Sequence, residues 1–236
     1  METNNPLLNR SVFSGYGQDQ MTATGTINKT GILMLLCLFS AAYGWTHPVN
    51  SWAILVPVLG AFVLCIIAAF KPSFSPIAAP LYAILEGFAL GCISVFTNVK
   101  YPGVAFNAVF ATLGVLTAMI ILYHTRIIKV TPGFKSVLSI MLMGIAIFYL
   151  ITMGLSFFRI HVPLVYGNSL WSIGFSVIVC GVASFYLLVD FDNIEQHTND
   201  GSPKYMEWYC ALSLLITIVW LYLEILRLFS KLRSRD

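Results

Sequence analysis

Residues 31–70 read GILMLLCLFSAAYGWTHPVNSWAILVPVLGAFVLCIIAAF, forty positions without one Asp, Glu, Lys or Arg. A soluble domain has no place for such a run, because too few polar groups remain to face water. An apolar helix of about 20 residues matches the ~30 Å hydrocarbon core of a bilayer at 1.5 Å per residue. The stretch is long enough for two such helices, with the short THPVN between them. The next thirty residues, Lys71 to Lys100, carry one charge between their ends, at Glu86. Across all 236 residues, 58% are hydrophobic and 10% charged, against about 25% charged in a typical soluble domain. Mean hydropathy is +0.83. The class is an all-α, polytopic integral membrane protein in contact with the lipid bilayer.

Working outward gives seven apolar segments, at residues 29–46, 51–70, 77–96, 101–123, 136–157, 168–190 and 207–229. Each connection carries proline: Pro48, Pro72 with Pro76, Pro102, Pro132, Pro163 and Pro203. Proline removes a backbone donor and clashes with the preceding turn, so it punctuates helices. Residues 1–28 are polar and rich in Gly, Asn and Thr. They lack a basic lead into an apolar core and cleavage site, and read as a partly disordered tail. Residues 29–229 form the seven-span domain and 230–236 a basic tail. With seven spans the termini lie on opposite faces. Seven Lys and Arg fall on the N-terminal face and six on the other, so the positive-inside rule does not decide orientation. The short basic loop HTRIIKVTPGFK tilts it toward an inside N-terminus. No internal repeat is visible.

The net charge of +3 is small and its positives are scattered, which gives no case for nucleic acid. The five cysteines lie inside apolar segments without a C-x-x-C, so they read as small buried hydrophobes. Asn28-Lys29-Thr30 matches a glycosylation acceptor but abuts the first apolar run, and is taken as a chance match. Enzyme chemistry finds no support. There is no H-E-x-x-H, no serine elbow and no G-x-G-D, and the histidines lie in loops or at span ends. The last span lacks the lysine a retinal protein needs.

Ionisable groups within spans are costly and are functional candidates by default. Glu86 sits in the middle of APLYAILEGFALGCIS, where a charge costs about 2.5–3.5 kcal/mol. It must be protonated, paired or facing water. Gly87 and Gly91 beside it form a small-xxx-small pair that lets another helix approach closely. In LLVDFDNIEQ, Asp190 is the deepest of three acids that close the sixth segment, followed by Asp192 and Glu195. A carboxyl there, partly out of water and beside a negative helix end, is disfavoured as an anion. It suits a proton-sensitive latch or an oxygen ligand for Ca²⁺. Glu207 reads as a helix-start anion and Glu224 with Arg227 as a structural i,i+3 pair.

Taken together, LVDFDNIEQ…GSPKYMEWYCALSLLITIVWLYLEILRLFSKLR resembles the Bax inhibitor family, the transmembrane Bax-inhibitor-motif proteins, in its bacterial-type branch. INKTGILMLLCLFSAAYGW and APLYAILEGFALGCIS…YPGVAFNAVFATLGVLTAMIILYHTRIIKVTPGF fit the same branch. The resemblance covers nearly the whole chain after about residue 20. It implies seven helices with the last one central, wrapped by six others, and a bacterial inner-membrane location. It also implies a pH-sensitive Ca²⁺ leak sensed by two hydrogen-bonded aspartates on the last two helices. A basic residue on the second helix would close the latch. Asp190 matches the first aspartate, with Ile194 four residues on. Thr217 stands where the second would be, and the second segment holds no Lys or Arg. Either Asp190 and Asp192 together replace the dyad, or Glu86 takes the second role, or this branch has lost the gating. The expectation is a channel for Ca²⁺ or another cation with Asp190, Glu86, Asp192 and Thr217 on its path, Asp190 and Glu86 being candidate ion ligands. No resident cofactor is expected beyond transient Ca²⁺. The rival expectation is a non-transporting protein that binds membrane proteases or stress partners through its helices.

Overall fold

The computed structural model of the chain describes residues 20–158 and 162–235. Its long helices are α1 (Ala23–Thr46), α2 (Ser51–Phe70), α3 (Ser75–Lys100), α4 (Val104–His124), α5 (Pro132–Phe157), α6 (Leu170–Asn199) and α7 (Met206–Arg233). All seven are long and apolar enough to cross a membrane, as the segment pattern predicts. A 3₁₀ turn (Pro72–Phe74) precedes α3 and a single helical turn (Pro163–Tyr166) precedes α6.

Local chemistry sets the ends. Thr22, Asn50, Thr131 and Ser169 cap α1, α2, α5 and α6, each accepting a hydrogen bond from a first-turn amide that would otherwise lack a partner. Two boundaries differ from the apolar pattern. Helix α1 starts at Ala23, so the last part of the tail assigned from sequence is helical. Residues 1–19 of that tail lie outside the described residues. Helix α6 runs to Asn199, well past the end of its apolar segment. It stops in a Schellman turn, with Gly201 at φ 65° and Ser202 N–H donating back to His197 O at 3.1 Å. Asp190 therefore lies nine residues, roughly 13 Å, from the helix end. The negative end of the dipole, which acts only over the last turn, does not reach it. That corrects the sequence expectation for Asp190.

Helix α7 is the centre. Of its most apolar window 72% is buried, against 50% for α3 and α6 and 11–22% for the other four. No residue from Tyr205 to Lys231 is exposed. Helices α1, α3, α4 and α6 pack directly around it, whereas α2 packs on α3 and α5 on α6. The expected ring of six is thus four helices plus two outriggers. Helices α1 and α3 meet through glycine. A Cβ on Gly87 or Gly91 would collide with the backbone carbonyls of Cys37 or Ala41, and one on Gly44 with that of Phe88. This is the close approach that the small-residue pair predicts. Large apolar side chains such as Phe70, Phe110 and Val56 face outward, where lipid covers them. Trp52 and Trp171 are also exposed, both at the end of the bundle where the C-terminus lies. There their amphipathic rings mark the headgroup level.

Candidate functional site

Six residues of α7 follow a 4-3-4-3-4 spacing: Ser213, Thr217, Trp220, Glu224, Arg227 and Lys231. Such a spacing keeps side chains on one face of a helix. In most spans that face would be apolar. Here it bears hydroxyls, an indole N–H, a carboxylate and two cations, and it meets α6 and α5.

Asp190 of α6, 3% exposed, opens this seam. It accepts hydrogen bonds from Ser213 Oγ at 2.9 Å and Thr217 Oγ1 at 2.5 Å. Thr217 has one hydroxyl hydrogen and a second acceptor in reach, Ser213 O at 3.2 Å. The shorter contact takes the proton. Among the described residues no Lys or Arg pairs with Asp190. Its ionisable neighbours are Tyr186 on its own helix and Cys210 on α7. Hydrogen bonds to a charged group contribute about 1.5–3 kcal/mol each, so two hydroxyls are comparable with the cost of one charge in the bilayer. Thr217 meets Asp190, the position that the resemblance implied for the partner of this acid. Ser213, the second donor, escaped it, although it lies one turn before Thr217 on the same face.

The antiparallel register persists along the seam. Fourteen residues back along α6 and fourteen forward along α7, Ser176 Oγ accepts from Lys231 Nζ at 2.8 Å. Between these levels lies Glu224, 1% exposed. It pairs with Arg227 at 2.9 Å and accepts from Tyr149 of α5 at 3.0 Å and from Trp220 Nε1 at 3.3 Å. Arg227 also donates to the Tyr149 hydroxyl at 2.6 Å, with its guanidinium carbon 4.9 Å from that ring's centre. The i,i+3 pair expected from sequence is present. Its α5 partner was invisible because Tyr149 belongs to another helix.

The other candidates do not join Asp190. Asp192 points elsewhere, as two positions on a helix must, and pairs with Lys135 of α5 at 2.6 Å. Gln196 donates to it as well. It fastens α6 to the start of α5. Glu86 is half-buried on α3, within electrostatic reach of Cys37 on α1, Cys65 on α2 and Tyr82. It makes no hydrogen bond or ion pair with the described residues, and neither a dyad of Asp190 with Asp192 nor one with Glu86 forms. No group of three His, Cys, Asp or Glu converges on a point among the described residues. Glu207 does more than start a helix. Buried at 2% exposure, it accepts from Thr22 N at 2.9 Å and Thr22 Oγ1 at 3.0 Å, and pairs with Lys29. These contacts tie α7 to the start of α1.

Two cavities flank the seam. One, of about 510 Å³, lies between α1, α3, α4 and α7 and is nearly all apolar. The other, of about 720 Å³, is polar and opens at the C-terminal end, beside Arg227 and Lys231. Asp190 lines neither of them.

Comparison with curated proteins returned no match. A family model described as Bax inhibitor 1 like matches residues 5–234. With seven spans, a buried last helix and that match over nearly its whole length, the chain belongs to the Bax inhibitor 1 like family of membrane proteins.

Proposed function

We propose that this protein is a passive cation leak, most simply for Ca²⁺, whose route follows the α6–α7 seam and is modulated by protons at Asp190. The carrying observation is Asp190 itself, an acid buried in a membrane domain and held, among the described residues, by the hydroxyls of Ser213 and Thr217. Intramembrane carboxylates of this kind mark ion paths. Ca²⁺ takes six to eight oxygen ligands. The Asp190 carboxylate, two hydroxyls and the nearby Ser213 carbonyl are oxygens of the right type, and water would complete the shell. Glu224, about 10 Å further along at seven residues of 1.5 Å each, supplies a second carboxylate, paired with Arg227. The family is associated with leak-like Ca²⁺ function, and a bacterial inner membrane is the setting its branch suggests.

Proton sensitivity follows from one hydrogen. While Asp190 is ionised, Thr217 donates to it. Once protonated, the carboxyl becomes the donor, and the Thr217 hydroxyl is free to turn to Ser213 O. The seam then loses the charge that attracts a cation, so flux falls as pH falls. Purified protein in Ca²⁺-indicator liposomes tests the proposal. Wild type should pass Ca²⁺ at neutral pH and lose flux on acidification, and Asp190→Asn should be low at every pH. An Asp190→Asn protein with unchanged flux and pH profile would refute the gating role. Absent flux with stable capture of a membrane protease would favour the interaction reading instead.

A further inference from the structure

We propose that the polar cleft at the C-terminal end of α7 binds an anionic phosphate group, as on a lipid headgroup. The cleft holds about 720 Å³, ample for a phosphate and its ester. Two cations four residues apart on α7 line it, Arg227 and Lys231. Lys231 is 7% exposed and pairs with no carboxylate among the described residues. Its three ammonium hydrogens are met by neutral oxygens: Ser176 Oγ at 2.8 Å, Ser172 O at 3.3 Å and Leu164 O at 3.4 Å. Its hydrogen bonds are therefore met by neutral groups, and because the nearby Glu224 is already paired with Arg227, the two cations and one carboxylate keep a net positive charge. Arg227 is in the opposite condition. Glu224 offsets its charge, but its three hydrogen-bonded contacts, to Tyr149 and Glu224, use Nη1 alone. The Nη2 and Nε edge has no partner among the described residues, and the side chain is 37% exposed. A planar edge of this kind suits a phosphate oxyanion. The two residues supply complementary halves of a site, field from one and donors from the other.

Position favours a lipid source. Lys231 bonds to Ser172 O, next to the exposed Trp171 that marks the headgroup level. Basic pockets between spans at that depth take anionic headgroups. A purely structural reading also exists, since Lys231 pins the turn before α6 and complements the C-terminal dipole of α7. That role would act equally in every lipid.

This inference is independent of cation passage, and direct binding tests it. Purified protein in detergent is titrated with phosphatidylglycerol and with phosphatidylcholine of matched chains, and adducts are read by native mass spectrometry. Wild type should prefer phosphatidylglycerol, and Lys231→Met should reduce that preference roughly five- to tenfold. Arg227→Lys retains the charge and the fold but loses the forked edge, and should weaken phosphatidylglycerol binding as well. Displacement by inorganic phosphate would show that the free anion suffices, and retention against it that the site needs the lipid. Equal binding of the two lipids, or a full preference surviving in both variants, would overturn the proposal.

Discussion

At the scale of the residue, Asp190 is defined by what it lacks. A second acid across the seam could share its proton, and a lysine or arginine could neutralise it. Thr217 and Ser213 do neither, and to the ionised carboxylate they donate hydrogen bonds. Two hydroxyls stabilise the anion enough to keep it in place without committing it to a permanent ion pair. The hydroxyl at position 217, rather than its size, should then be what matters. Thr217→Val is expected to cost about 1–2 kcal/mol in thermal unfolding and to lower Ca²⁺ flux at neutral pH. Thr217→Ser should retain both. A valine variant with wild-type flux would separate Thr217 from the route.

At the scale of the element, two junctions hold the bundle by different physics. The α1–α3 contact is backbone against backbone, made possible by Gly44, Gly87 and Gly91. A Leu at Gly91 has no flexible neighbour to displace, since its Cβ meets the backbone of Ala41 and Trp45. Gly91→Leu should therefore abolish the folded species on size exclusion, whereas Gly114→Leu, in open space on α4, should not. The α1–α7 junction is electrostatic. Glu207 is nearly buried and Lys29 has 16% of its side chain exposed. Breaking a buried pair from one side costs about 3–5 kcal/mol, and partial access of Lys29 to water brings this to about 2–4 kcal/mol. Glu207→Met should lower the melting temperature. Adding Lys29→Met should restore much of the loss, because the stranded charge goes with it.

At the scale of the whole molecule, the acids fall into separate regions. Asp190 and Glu224 share the α6–α7 seam, while Glu86 lies with α1 and α2 on the far side of α3. If cations follow the seam, Glu224→Gln should reduce Ca²⁺ flux severalfold and Glu86→Gln should leave it near wild type. The reverse result would move the route to the α1–α2–α3 side. Acidic and neutral liposome assays on the same preparations distinguish these outcomes from loss of fold.

The class, the seven spans and the glycine contact are legible in the sequence, because each depends on properties read along one chain: apolar length, proline punctuation and the spacing of small residues. The resemblance to the Bax inhibitor family also implied that Thr217 stands opposite Asp190. Which polar groups meet is settled by helix packing. Ser213, Tyr149 and Ser176 are ordinary residues until α5, α6 and α7 bring them to Asp190, Glu224 and Lys231. Asp192 and Glu86 looked like partners of Asp190 in sequence, yet a 100° turn per residue and the packing of separate helices send them elsewhere. Charge and length are local properties that a sequence carries openly. The partner of a buried charge belongs to another helix, and packing selects it.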